Sequence, residues 1–197
     1  TIDLDGARRS AEIPAIGLFN VENALCALGA VLSLGHRLDE ALPLLARLAP
    51  PPGRMQLMRA EGAPLAVADY SHTPDALEKA LESLRPVAQA RGGRLWAVFG
   101  CGGARDAGKR PVMGGIAVRL ADISAGAPGA RVVTDIAEAI HHAVAEADGA
   151  DVVLIAGKGH EDYQEINGVK HHFSDSEVVR EAFNERRVQM LRAVEGV

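Results

Sequence analysis

Three short runs concentrate side chains able to bind or react, and each stands directly behind an apolar stretch. Gly157-Lys158-Gly159-His160-Glu161-Asp162 packs two glycines, a cation, an imidazole and two carboxylates into six residues. Glu161 suits an amino group, and Lys158 or His160 suits a phosphate or a carboxylate. Such a density of charge behind an apolar strand is costly without a ligand to compensate it. Gly100-Cys101-Gly102-Gly103 offers backbone N–H groups near a helix start, a place for an anion. Arg105, Asp106, Lys109 and Arg110 follow it, and the guanidinium of Arg105 is shaped for a bidentate hold on a carboxylate. Basic groups are unfavourable at the positive end of a helix dipole, which favours an anionic ligand over a merely solvated turn. In Asp69-Tyr70-Ser71-His72 the carboxylate suits a ribose hydroxyl, whereas His72 is equally readable as structural or as a ligand. Neither GxxxxGK[ST] nor GxGxxG occurs.

Other reactive types carry less. His141-His142 is read as having no acidic or histidine partner at i+4, and His171-His172 follows a hairpin. Adjacent histidines do not share a helix face, so both pairs are read as surface and no metal site is expected. Cys101 has no base to activate it and is read as a small buried residue.

The elements that must position these turns follow from periodicity and punctuation. Residues 1–16 read as a strand or hairpin ending near Pro14. Val21, Ala24, Leu25, Leu28, Val31 and Leu32 make one helical stripe between Gly17 and Gly35. A second helix is expected from about Leu38 to Leu48. Pro50-Pro51-Pro52-Gly53 suits neither helix nor central strand, so domains are expected at 1–52 and 53–197. Beyond it, strands are expected at 65–69, 94–99 and 151–156. Helices are expected from Thr73-Pro74-Asp75, over about 111–121 and 136–147, and from a Ser174-Asp175 cap to about Asn184, followed by a charged amphipathic tail. Asn167-Gly168 marks a hairpin. Strands alternating with helices predict an open α/β sheet, whose ligands sit outside the carboxyl ends of the strands. The three turns should therefore converge on one crevice.

Composition narrows the partners. The 197 residues carry a formal charge of -5 with only 4% aromatic residues, a poor match to a nucleic-acid surface. Two cysteines outside any CxxC pair make no disulfide framework, and a reduced, cytoplasmic setting is expected. No apolar run approaches the roughly 18 residues of a membrane span, and no signal peptide is visible. The start lacks Met and enters in a strand-like alternation, as expected of the middle of a protein.

Five motifs occur in order: Phe19-Asn20-Val21-Glu22-Asn23-Ala24, Gly53-Arg54-Met55, Asp69-Tyr70-Ser71-His72-Thr73-Pro74-Asp75, Gly100-Cys101-Gly102-Gly103-Ala104-Arg105-Asp106 with Lys109-Arg110-Pro111, and Gly157-Lys158-Gly159-His160-Glu161-Asp162-Tyr163. From about Gly17 to Asn184 the chain resembles the Mur ligases, within them the branch that adds the third residue of the peptidoglycan stem peptide. The resemblance implies a Rossmann-like C-terminal domain preceded by the helical end of a central ATPase domain. It implies ATP and Mg2+, a UDP-MurNAc-dipeptide whose carboxylate becomes an acyl phosphate, and meso-diaminopimelate whose amino group attacks it. By position, Asn20 and Asn23 would lie near the adenine, Arg54 near the phosphates, and Asp69 and His72 near the ribose and phosphates. Arg105, Gly157 and Glu161 would hold the incoming amino acid, Arg105 its carboxylate and Glu161 an ammonium.

Three departures stand beside this. The UDP-binding domain and most of the central domain, with the family's phosphate loop, magnesium ligands and carbamylated lysine, have no counterpart, so catalysis by this chain alone is not expected. Ala104 stands where the family often has Asp. Asp122-Ile123-Ser124 leads almost directly to Gly126-Ala127-Pro128-Gly129, with no strand read between the flanking helices and no Asp-Asn-Pro-Arg run. About twenty residues are expected to be missing here rather than deleted by evolution, and unbroken Cα spacing from Leu120 to Gly126 would count against that. The alternatives are an L-lysine-adding or other Mur-type ligase, or a non-catalytic ligand-binding module derived from one.

Overall fold

The computed structural model describes residues 2–4, 7–100, 108–124, 133, 135–166 and 168–195. They form two compact units, residues 1–51 and 52–197. In the first, β1 (Ile2–Leu4) and β2 (Ala7–Arg9) make an antiparallel hairpin. Gly17, at φ 96°, turns the chain into α1 (Leu18–Ser33), as the stripe predicts. The expected second helix instead divides into α2 (Leu38–Ala41) and a 3-10 helix, Leu42–Arg47. Pro43 explains the division, since it has no N–H with which to continue an α-helical ladder. Ala24, Leu28, Ala41, Leu42 and Leu45 form this unit's core.

The second unit is built on a five-stranded sheet containing β3 (Gln56–Met58), β4 (Leu65–Asp69), β5 (Leu95–Phe99), β6 (Ile123–Ser124) and β7 (Val152–Ala156). Its order is β3-β4-β7-β5-β6, with only β3 antiparallel. Helices α3 (Pro74–Arg91), α4 (Lys109–Leu120), α5 (Ile136–Glu146) and α6 (Asp175–Glu195) flank it. The path from β4 through α3 to β5 and through α4 to β6 runs one way across the sheet, and α5 brings the chain back to β7. Right-handed crossovers then set α3 and α4 on one face and α5 on the other. The packing agrees: α3 lies against α4, and α5 against α6. Ala66, Ala68, Trp96, Val98, Val153 and Ile155 share a core with residues of α5 and α6. The alternate strand positions Leu65, Val67, Leu95 and Leu154 are buried, as are Leu77, Leu81 and Leu84 of α3. A hairpin, β8 (Tyr163–Ile166) and β9 (Val169–His172), leads into α6.

Several readings need correction. A short strand does lie between α4 and α5: Ile123 and Ser124 pair in parallel with Trp96 and Ala97. Two residues are too few to show a period, and long-range bonds hold them. The Asp122 N–H donates to Leu95 O at 2.8 Å, and the Leu95 N–H donates to Asp122 Oδ2 at 2.7 Å. Helix α6 does not stop near Asn184. No glycine or proline breaks it there, and Arg186 Nη1 donates to Val144 O and Ala147 O, both at 2.6 Å, at the carboxyl end of α5. Strand β3 escapes sequence reading because it has only three residues. Ala125 and Gly126, needed to judge the spacing around the expected missing segment, lie outside the described residues.

At the amino end of the sheet, Asp151 is 1% exposed and acts as a hub. It accepts from Arg94 N–H at 2.7 Å, Trp96 Nε1 at 2.7 Å and Asp148 N–H at 3.0 Å, and pairs with Arg94 at 3.2 Å. Burial opposes its charge, but these donors outweigh burial and hold the carboxyl below the usual carboxylate range. A depressed value stabilises the fold above the unfolded pKa, and that stability is lost as pH falls through the folded value. Asp151→Ala leaves several donors unsatisfied and is expected to lower stability by roughly 3 kcal/mol. Urea denaturation should also show a flatter pH dependence below about pH 4. A loss under about 1 kcal/mol would contradict the hub role.

Candidate functional site

A crevice of about 430 Å³ opens at the carboxyl ends of β4, β5 and β7, and Tyr70, His72, Gly100, Lys109, Lys158 and Glu161 line it. It lies where the chain leaves β4 and β5 for one face of the sheet and leaves β7 for the other, the switch point of an open α/β sheet. The convergence expected of the three turns is thus present in the described residues of each.

Backbone contact binds two of these turns to the segment before β3. Gly53, at φ 67°, and Gly159, at φ 56°, touch so closely that a Cβ on Gly53 would stand 2.0 Å from Gly159 C and 2.1 Å from His160 N. A Cβ on Gly159 would stand 2.7 Å from Gly53 O and 2.8 Å from Tyr70 Cβ. Both carboxylate oxygens of buried Asp69 are engaged: Oδ2 accepts from Met55 N–H at 2.8 Å, and Oδ1 accepts from Ser71 Oγ. Met55, itself in the left-handed region at φ 44°, is held there by that bond. Gly157, at φ 142°, donates to Asp69 O at 3.0 Å. Asp69 therefore shapes the turn that presents Arg54.

Tyr70 gathers a guanidinium and two imidazoles. The Arg54 guanidinium carbon lies 4.8 Å from the centre of its ring, and the His72 and His160 rings lie at 4.5 and 4.9 Å. His72 Nδ1 is 2.9 Å from Tyr70 O, and Lys109 Nζ donates to His72 O at 3.3 Å. On the far side, Lys158 Nζ lies 3.3 Å from Glu161 Oε2 and donates to Tyr163 O at 3.0 Å. Asp175 does not cap its own helix, as the sequence suggests. Its Oδ2 accepts from Gly159 N–H at 2.9 Å, while Ser174 O takes the N–H groups of Glu177 and Val178. Burial pushes the Asp175 carboxyl up to about 6, and Glu161 adds to that. The Gly159 N–H and Lys158 oppose it. Raised in this way, the group binds its proton more tightly in the folded chain, so its contribution to stability declines as pH rises from about 4 to 6.

Asn20 and Asn23 line a separate cavity of about 290 Å³ within residues 1–51, beside Ala24, Ala27, Leu48 and Pro50. Asn20 Nδ2 donates to Ile16 O at 2.7 Å, tying the entry of α1. Arg105, Cys101, Ala104 and Asp106 lie outside the described residues. Tyr70 and Asp175 are the residues that sequence reading overlooked. Tyr70 could have been found by its place between Asp69 and His72, but nothing local distinguishes Asp175 from a helix cap.

The histidine pairs need one correction. His142 does have an acidic partner at i+4, with Nε2 3.4 Å from Glu146 Oε1. His141 Nδ1 lies 2.8 Å from Glu185 Oε2, and a bond to Glu177 at 2.6 Å pushes the His172 imidazole up. Among the described residues no group of three His, Cys, Asp or Glu could hold a metal ion. A further cavity of about 370 Å³ is lined by Trp96, Val98, Ile123 and Val133 and by Ala139 and Ala143 of α5.

Comparison with known proteins agrees with this geometry. The family described as "Mur ligase, glutamate ligase domain" matches residues 53–127. The chain is 47% identical over 213 aligned positions to a UDP-N-acetylmuramoyl-L-alanyl-D-glutamate--2,6-diaminopimelate ligase of Ralstonia nicotianae, covering 95% of this chain and 41% of the relative. It is 50% identical over 192 positions to the protein of the same name in Pseudomonas aeruginosa, covering 86% of this chain and 39% of that one. The chain thus spans about two fifths of the length of these curated relatives. An alignment of 213 positions exceeds the 197 residues present, so the Ralstonia relative carries residues inside the matched stretch that this chain lacks. A solved structure of a ligase with that name superposes with a TM-score of 0.68 at 38% identity, over 93% of this chain and 42% of that one. Agreement of sequence and fold over nearly its whole length shows that the chain belongs to the Mur ligase family.

Proposed function

We propose that the chain is the amino-acid-selecting part of an ATP-dependent amide ligase in peptidoglycan precursor synthesis, one that adds meso-diaminopimelate to UDP-MurNAc-L-Ala-D-Glu. One observation carries this reading. The crevice places an accessible carboxylate, Glu161, and cationic groups around a glycine-pinned floor, in a chain 47% identical to a protein named for diaminopimelate ligation. In the reaction, ATP transfers its terminal phosphoryl group to the dipeptide carboxylate and leaves as ADP. The amino nitrogen attacks the acyl carbon, inorganic phosphate departs, and the nitrogen loses a proton as the amide forms.

The residues divide between the two ligands. Gly157 and Glu161, with Arg105, serve the amino acid: Arg105 takes its carboxylate and Glu161 an ammonium. Asn20 and Asn23 serve the adenine from their own cavity in residues 1–51. Arg54 and His72 serve the phosphates and ribose from around Tyr70, and Asp69 acts by holding the Arg54 turn. Magnesium supplies neutralisation of phosphate charge. Its ligands are assigned to the central domain, as membership of the family implies. Residues 1–52 are the end of the central ATP-binding domain, and residues 53–197 the C-terminal domain. We place the enzyme in the cytoplasm, where ATP and nucleotide-linked precursors meet; no helix among the described residues is long and apolar enough to cross a membrane. L-lysine is the competing substrate, because the sequence contains no Asp-Asn-Pro-Arg run.

Full-length protein should release phosphate in an amino-acid-dependent reaction, faster with meso-diaminopimelate than with L-lysine. Equal rates, or no release, would overturn the specificity. Glu161→Ala should raise KM for the amino acid by about tenfold or more while leaving KM for ATP within about twofold, the signature of a lost ligand contact. The reverse ranking would refute the role of Glu161. Gly159→Ala forces a Cβ against Gly53 O and should impair use of both ligands together, with a stability loss of roughly 2 kcal/mol or more. A variant with unchanged melting temperature and kinetics would show that the contact is dispensable.

A further inference from the structure

Glu161, the carboxylate assigned to an incoming ammonium, is not free in this structure. The ammonium of Lys158 stands 3.3 Å from its Oε2. The same Nζ donates to the carbonyl of Tyr163 at 3.0 Å and lies 5.4 Å from the centre of the Tyr163 ring. A carboxylate, a carbonyl oxygen and an aromatic face together make the usual surroundings of a bound alkylammonium. Here the chain's own lysine fills them. Both side chains line the crevice, with 23% and 30% of their surfaces exposed, so the pair is open to exchange with a ligand rather than sealed in a core.

We propose that Lys158 is a specificity-determining residue: its ammonium holds the Glu161 carboxylate until the second ammonium of the incoming substrate, the one that does not react, displaces it. The inference rests on the reading of Glu161 given above and deepens it. Charge accounting supports the exchange. Glu161 and Asp175 put two carboxylates on this side of the crevice, and Lys158, three residues before Glu161, is close enough to act on the charge of Asp175. A released Lys158 keeps the Tyr163 carbonyl as acceptor and stays within reach of the charge of Asp175, so the arriving cation leaves no ammonium stranded. A ligand without a second ammonium has no means of displacing Lys158. The lysine thereby discriminates against amino acids with neutral or acidic side chains by occupying the subsite, in addition to whatever the subsite itself attracts.

The test uses the full-length enzyme holding a non-hydrolysable ATP analogue, titrated calorimetrically with meso-diaminopimelate and with L-lysine. Lys158→Met should tighten diaminopimelate binding about threefold to fivefold, the worth of a partly exposed ion pair. Lys158→Arg, with a fork that grips a carboxylate more firmly, should weaken it by a similar factor. The affinity for the ATP analogue should stay the same in both. Weaker diaminopimelate binding by the Met variant would overturn the proposal in favour of Lys158 holding a ligand anion. An unchanged affinity with a lowered melting temperature would overturn it in favour of a pair that only stiffens the turn. Should the Met variant fail to fold, the Arg variant decides by the same sign. If the wild type binds L-lysine and not diaminopimelate, the proposed substrate fails, while the variant-to-wild-type ratio for L-lysine still decides the role of Lys158. Absence of any amino-acid binding by the wild type overturns both.

Discussion

The crevice depends on two glycines pressed backbone to backbone. Gly53 and Gly159 approach so closely that neither position has room for a β-carbon, and both adopt positive φ. That contact fixes the turn carrying Arg54 against the turn carrying Lys158 and Glu161. The third turn is fastened to both. Asp69 takes the Met55 N–H with its side chain and the Gly157 N–H with its carbonyl, and Tyr70 lies against Gly159. Segments separated by about a hundred residues of sequence thus behave as one rigid floor, the preorganisation a ligand site requires.

Carboxylates at the two ends of the sheet are used in opposite ways. Asp151, at the amino end, is saturated with donors and keeps its charge. Asp175, at the carboxyl end, is as little exposed but has one backbone donor and a like-charged neighbour, and its proton is correspondingly harder to remove. The difference lies in fewer donors together with stronger desolvation at Asp175. It divides a structural end of the sheet from an end with electrostatic demand left unmet.

Much of this arrangement is legible in the sequence because it rests on strong local signals. The apolar runs of β4, β5 and β7 are buried along nearly their whole length, and their abrupt polar ends mark the crevice. Thr73 before Pro74 marks the start of α3, and its side chain accepts from Ala76 N–H. What escapes is set by partners distant in sequence. Strand β6 exists because Asp122 meets Leu95, β3 because it lies beside β4, and Asp175 reaches Gly159 instead of its own helix. The pairing of Lys158 with Glu161 is an i,i+3 relation that could have been read, but only the geometry shows that both face the crevice. The line of descent was carried by ordered motifs, which no single period or composition would reveal.

Helix α6 has a mechanical property that follows from its attachments. It is tied at its first residue to the Gly159 turn and held eleven residues later by Arg186, whose guanidinium grips the last carbonyls of α5. The two attachments stand about 16 Å apart along the helix. A rod anchored at two such points acts as a strut: a shift of the glycine floor is conveyed to the end of α5 instead of dissipating in a loop, and the ligand side of the sheet is braced from its opposite end.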